Sequence, residues 1–407
     1  MTPWQRTYWV VFVANLVTAI GMMSFLPFFP GILEELGVTD VEERMLWTGV
    51  LFGAAPLAAS VMGPVWGSLG DRFGRKLMVI RALLAIAVFV GAMGLATHPV
   101  ELLALRLAQG CFSGFIPPSI TLVSVSTPRE LQGRVTGSLQ AALPAGMIAG
   151  PLVGEWLFSR FGTDGLFAFV ACAAGTSAFL VALFASEDAS LRITVERFSP
   201  VSVLSSTIDD LRKLMANVRI RRAIYLLFAI QFGVGATNPL LQLFVEDIVG
   251  GSSDQASQWT AYLFSAFAVA ALVASPIWGR VCDRIGHGRA LAIAAVATAL
   301  LLGLQAFVTA FLVLLVLRVL LGLITPGANI SSFGLAATET SEENRGGAFG
   351  AVFSARTFAV SVGSVAGGAI SAAIGVRGLF VASGLVVAFA IVVLRPWAGE
   401  RSEATAG

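Results

Sequence analysis

Charge is what this sequence has least of. Only 12% of its 407 residues are charged, against 57% apolar, where soluble domains run near ~25% charged. That leaves too little polar surface to coat a water-soluble fold. Lysine occurs twice, as Lys76 and Lys213, each directly after an arginine. No G-x-x-x-x-G-K-[ST] loop is present to cradle a nucleotide, so an ATP-driven pump is excluded. Histidine also occurs twice, His98 and His287, both in expected loops. The three cysteines (Cys111, Cys172, Cys282) are far apart and lack metal spacing. An intramembrane enzyme needs convergent nucleophile, base or metal ligands, and none is expected here. No basic run suggests nucleic acid as a partner.

Long apolar segments fill the space. A spanning helix needs ~17–25 residues, and such segments lie near 8–30, 45–69, 76–96, 100–125, 134–158, 163–185, 220–245, 258–281, 288–308, 310–336, 346–372 and 375–397. The first is too long for the apolar core of a secretory signal and is expected to be a retained helix. The expected fold is an all-α membrane protein of about twelve transmembrane helices. They form two six-helix parallel repeats around a central cavity, with the lipid bilayer as solvent.

Basic residues gather in alternate loops. Arg72, Arg75, Lys76, Arg129, Arg134, Arg280, Arg284, Arg289 and Arg345 fall on the same side as the polar stretch 187–222, while the other side has only Arg44, Arg160 and Arg377 with the acids Glu34, Glu35, Asp40, Glu42 and Glu43. The positive-inside rule then puts both termini in the cytoplasm, with the cell's inner membrane as the expected location. The expected division is a first bundle over 1–186, a cytoplasmic linker over 187–219, a second bundle over 220–398 and a tail over 399–407.

The halves repeat at an offset of 212 residues. Gly21 and Pro27 return as Gly233 and Pro239, Trp47-Thr48 as Trp259-Thr260, and Pro64-Val-Trp66-Gly67 as Pro276-Ile-Trp278-Gly279. Asp71-Arg72 and Gly74 return as Asp283-Arg284 and Gly286, and Arg106 and Gly110 as Arg318 and Gly322. Such a pair of repeats encloses a midplane cavity, and rocking of the halves gives alternating access.

Four patterns carry the candidate site. The loop Gly67-Ser-Leu-Gly70-Asp71-Arg72-Phe-Gly74-Arg75-Lys76 sets a carboxylate among cations in a glycine turn. A carboxylate so placed can cap the N–H groups of a neighbouring helix and latch one conformation; its plainer role is to fix topology. Arg106, followed by Gln109-Gly110, sits inside a span. There it either bonds backbone carbonyls or meets an anion or acid in a wet cavity. Gly146, Gly150 and Gly154 recur every fourth residue with Pro151 among them, a smooth stripe for close helix contact. Arg356 lies about ten residues into its helix, near the midplane, with no mid-helix carboxylate in sight. Asn15, Gln231 and Asn238 complete the polar candidates for the cavity, together with Arg318.

The loop signature and its degenerate second copy resemble the major facilitator superfamily over the whole chain. The resemblance implies that Asp71, Arg72 and Arg75 form a conformational latch, with Asp283 and Arg284 as a weaker copy in which His287-Gly288-Arg289 replaces adjacent basic residues. It implies a tie between Arg106 and proton coupling. The Gly–Pro stripe, with Pro27-Phe-Phe-Pro30, resembles the drug:proton antiporter branch, although Glu155 stands where that signature carries a second glycine and the first helix has no acid. The implied function is proton-coupled efflux of small amphipathic compounds by a monomer, with the proton gradient as energy source and no cofactor. A metabolite or organic-anion carrier, or a sensor of the same fold, remains the alternative.

Overall fold

The computed structural model describes residues 2–128, 131–187, 212, 215–250, 253–340 and 345–394. Most of the expected linker 187–219 and the whole tail 399–407 lie outside them. Every long described element is helical, as the bilayer demands of a chain that cannot close a barrel.

Helix α1 (Pro3–Ser24) opens on a proline whose missing N–H costs nothing in a first turn. It does not simply end at Pro27-Phe-Phe-Pro30: a 3-10 turn, Leu26–Phe28, leads into a short α2 (Phe29–Glu35). Asp40 then accepts a hydrogen bond from the Glu43 backbone N–H at 2.8 Å and starts α3 (Val41–Phe73). Helix α4 (Arg75–Met93) follows a one-residue turn at Gly74, whose φ of 103° only glycine holds without strain.

The segment expected as one helix over 100–125 is two, α5 (Pro99–Phe112) and α6 (Ile116–Ser126). Pro117 and Pro118 cannot donate to a preceding turn, so the helix restarts where their N–H groups would be unused. A short α7 (Gln132–Gln140) precedes α8 (Ala142–Phe184), a 43-residue element broken at Gly162 with φ 64°. At ~1.5 Å per residue an unbroken helix of that length would be about twice the ~30 Å of a hydrocarbon core. The chain doubles back there. Both arms of α8 pack on the same stretch of α1: Gly146 to Gly154 meet Ala19 to Ser24, and Val170 meets Gly21.

The second half repeats the plan. Helix α9 (Val218–Thr237) bends by 51° into α10 (Leu241–Val249) beside Pro239. Then come α11 (Ser253–Ile285), α12 (His287–Gln305), α13 (Phe311–Glu339) and α14 (Arg345–Leu394), the last broken at Gly375. The turn between α11 and α12 is Gly286 with φ 83°, the repeat-mate of Gly74.

Among the described residues, eight helices are long and apolar enough to cross a membrane, or nine with the bent pair α9–α10 counted as one. Each half has its own apolar core, around Val79, Leu83 and Phe167 in the first and Leu227, Leu291 and Leu321 in the second. The outer surface is apolar too: Val88, Phe179, Leu300 and Phe389 are all at least 60% exposed. That is the surface of a protein whose solvent is lipid.

Candidate functional site

Small residues set how closely the helices approach. A Cβ on Gly150 would stand 2.6 Å from the Met23 Cβ, and one on Gly146 2.6 Å from the Ala19 carbonyl carbon. Gly154 lies directly on the Ser24 carbonyl. The stripe read from the sequence therefore brings α8 to backbone contact with α1, with Pro151 buried in the same face. In the second half Gly363 and Gly367 do the same against Phe232 and Ala236 of α9, without a proline.

The described residues of the two halves touch in four places. Gly49 and Gly53 of α3 lie under the Ser364 and Ser361 carbonyls of α14, and Gly368 packs back on Gly49 and Met45. Met45 joins an apolar cluster with Ala236, Leu240, Leu243 and Leu379. From α11, Ser265 donates its hydroxyl to the Ile148 carbonyl of α8 at 2.7 Å. Beyond the Met45 cluster, Arg44 pairs with Glu34, and α2 lies against α10 through Gly31 and Gln242. The halves are thus sealed toward the end that carries Arg44.

The polar residues inside each half are tied down. Asn15 accepts from the Ser119 hydroxyl at 3.0 Å, joining α1 to α6. Arg106, 2% exposed, donates from Nε to the Leu51 carbonyl at 3.1 Å and from Nη1 to Oε1 of Gln109 at 2.6 Å. Gln109 points its amide at the Met22 sulfur. Arg318 is as buried as its repeat-mate, yet donates only to Asn238, at 2.9 Å, while its Nε and Nη2 have no partner. Gln231 donates to Asn329 at 3.0 Å, tying α9 to α13. Arg356 is half-buried on the first arm of α14 and forms no hydrogen bond or ion pair with a described residue. It sits one turn before Val360, which packs on Gly235 of α9.

At the opposite end, the backbone of the signature loop is helical through Phe73 and turns at Gly74. The side chains of Asp71 and Arg72, and the surroundings of Gly67, lie outside the described residues. Arg75 offers its backbone N–H to Glu187 at 2.7 Å, and Lys76 does so at 3.2 Å. Glu187 is the carboxylate that caps α4, a role its sequence position does not reveal, since it lies 112 residues away at the end of an apolar run. Asp283 and Arg284 are exposed at the end of α11. Two more features escape sequence reading: the Arg44–Glu34 pair, and Arg81 stacked 3.6 Å over the Trp66 ring. Their only signal is a charge close to an apolar segment.

Two duplicated helical halves, apolar outside and joined through glycine contacts at one end, define the architecture of a polytopic carrier. The chain belongs to the Major Facilitator Superfamily, whose family model matches residues 11–250 and again 223–406. It is 31% identical to the multidrug resistance protein MdtG of Citrobacter koseri over 390 residues, covering 95% of this chain and 93% of that protein. The MdtG of Yersinia enterocolitica is 32% identical over 391 residues, covering 95% and 91%. Among solved structures, the nucleoside transporter NupG superposes with a TM-score of 0.77 at 15% identity over 96% of this chain and 99% of that one. A bacterial homologue of the lysosomal transporter Spinster, in an inward-facing occupied conformation, superposes at 0.76 and 13% identity, covering 97% of each. This chain is a multi-pass membrane transporter.

Proposed function

We propose that the protein exports small amphipathic organic compounds in exchange for protons, acting as a monomer without a cofactor or enzymatic step. The observation that carries this reading is the glycine–proline stripe of α8 in backbone contact with α1, present in one half and without its proline in the other. The similarity to multidrug resistance proteins over 95% of the chain supports it.

On this reading twelve helices cross the inner membrane. The two arms of α8 and of α14 count as separate crossings, while α5 with α6 makes one crossing and α9 with α10 another. Both termini face the cytoplasm, so the Arg44 end faces outward and the structure is closed on that side. Asp71, Arg72 and Arg75 latch the halves at the cytoplasmic end, with Asp283 and Arg284 as the weaker copy. Arg106 and Gln109, with Asn15, Gln231, Asn238 and Arg318, set the polar framework of each half. Arg356 faces the path between the halves.

A second reading, carriage of organic anions or metabolites, is favoured by Arg356 alone, a cation near mid-helix without a described counter-charge. Reconstituted vesicles with an imposed pH gradient test both. A ~100 mV potential provides about 2.3 kcal/mol per charge moved. Uphill drug transport that survives collapse of the pH gradient and the potential overturns proton coupling. Labelling of single cysteines over 35–42 from the outside, and over 200–215 from the inside, checks the orientation.

A further inference from the structure

Arg81 has no part in the reading above. It lies six residues past Arg75, the first residue of α4, and so about 9 Å along the helix from the Gly74 turn. Leu77, Leu84 and Val88 flank it at i−4, i+3 and i+7, and all three are exposed. Arg81 therefore stands on the face that α4 turns to lipid. The duplication provides a control. Leu84 and Val88 return 212 residues on as Val296 and Leu300, exposed like them, and Arg81 returns as Ile293, which is 51% exposed. The same position on a lipid-facing stripe thus holds isoleucine in one half and arginine in the other. A cation facing hydrocarbon is costly unless it finds a partner or reaches the interface.

The guanidinium is held in place. It lies 3.6 Å over the Trp66 ring of α3, and the Trp66 indole is itself fixed by its bond to the Cys111 carbonyl of α5. The exposed ring of Phe112 on α5 stands 5.8 Å from Trp66 and 5.9 Å from Phe89 of α4, centroid to centroid. So α5 shows between α3 and α4, with Phe112 as the floor and the Arg81–Trp66 stack bridging the two walls. Nε and Nη1 of Arg81 are buried with no acceptor, and no carboxylate among the described residues pairs with it. The flank of the first half carries an oriented cation whose charge nothing described balances.

We infer that Arg81 and Trp66 bind the phosphate of an anionic phospholipid in the leaflet on the signature-loop side. An arginine and a phosphate make a charge-assisted hydrogen bond, and Nη2 is the donor left to meet it. The acyl chains then lie along Leu77, Leu84 and Val88. The turn at Gly74 places Arg75 and Lys76 at the same end of α4. Their charge favours a headgroup without an ammonium of its own. Lys76 Nζ is already bonded to the Ala182 carbonyl at 2.8 Å, so it acts through its field and leaves the contact to Arg81. On the orientation proposed above this is the cytoplasmic leaflet; the site itself does not depend on that orientation.

The test is native mass spectrometry and thermal melts of the delipidated full chain in a neutral detergent, with dioleoyl phosphatidylglycerol, dioleoyl phosphatidylcholine or inorganic phosphate added back. The wild type should retain phosphatidylglycerol in preference to phosphatidylcholine and melt several degrees higher with it, and inorganic phosphate should not reproduce the gain. Arg81→Ile, which copies the side chain of the repeat-mate Ile293, and Arg81→Gln, which stays polar without the charge, should lose the difference between the two lipids. Arg81→Lys should keep most of it. A purely structural Arg81–Trp66 stack would lower the melts of these variants equally in both lipids and preserve their difference. A wild type without preference, or an Arg81→Ile or Arg81→Gln protein that prefers phosphatidylglycerol as the wild type does, overturns the proposal. Inorganic phosphate that matches the lipid also overturns it, since the site would then hold a free anion. Failure of the antiport or orientation reading would appear in the vesicle flux or the labelling and leave this binding unchanged.

Discussion

Arg106 donates to Gln109 at 2.6 Å within one helical turn, and the repeat-mate of Gln109 is Leu321. The duplicated arginine thus kept its place and lost its partner: Arg318 holds Asn238 instead, with two buried nitrogens unpaired. Hydrogen bonds to a charged group contribute roughly 1.5–3 kcal/mol each, whereas replacing a poorly satisfied buried charge by an apolar side chain is often neutral or better. Arg106→Met is expected to lower the melting temperature of the purified protein by several degrees, and Arg318→Met by clearly less. Thermal melts in one detergent decide it; the reverse order would contradict the bonding described.

Gly150 has the Met23 Cβ and the Ile20 carbonyl where its own Cβ would be. Gly150→Val must part α8 from α1 and is expected to abolish both accumulation of folded protein and transport. Gly137→Ala on α7 meets nothing within 4 Å and should be silent. Expression and flux of the two variants side by side test whether contact, and not glycine as such, matters.

Glu187 satisfies two backbone N–H groups at the start of α4. An acceptor of this kind stabilises a helix end by roughly 0.5–2 kcal/mol, so Glu187→Gln is expected to lower stability measurably. Asp71→Asn should leave stability unchanged and sharply slow transport if Asp71 latches the halves. A fully active Asp71→Asn variant would reduce that residue to a topological one.

Arg356 has no described counter-charge and lies on the arm of α14 that approaches α9. A surplus positive charge along the path attracts anionic solutes and repels lipophilic cations. Arg356→Ala is expected to weaken transport of acidic compounds several-fold more than that of neutral ones. Efficient export of quaternary-ammonium dyes by the wild type, unaffected by the change, would exclude this role.

The Trp66 indole donates to the Cys111 carbonyl at 2.6 Å, and Trp278, 212 residues on, donates to the Leu323 carbonyl at 2.7 Å. Spacing alone made the duplication legible, and with it the membrane solvent, the helical class and the glycine stripe. Those properties follow from local rules: apolar length for a span, small residues at i and i+4 for close approach, glycine for a positive φ. Gly74, Gly162, Gly286 and Gly375 fell where those rules require turns. What the sequence could not decide is which distant groups meet. Glu187 on α4 and Glu34 on Arg44 are pairings across separate helices, and an exposed acid beside an apolar run reads the same whether solvent or a buried guanidinium awaits it. Only the packing of helices, within each half and of one half on the other at Gly49, Gly53 and Gly368, decides those meetings, because close-packed helices fix which side chains come together.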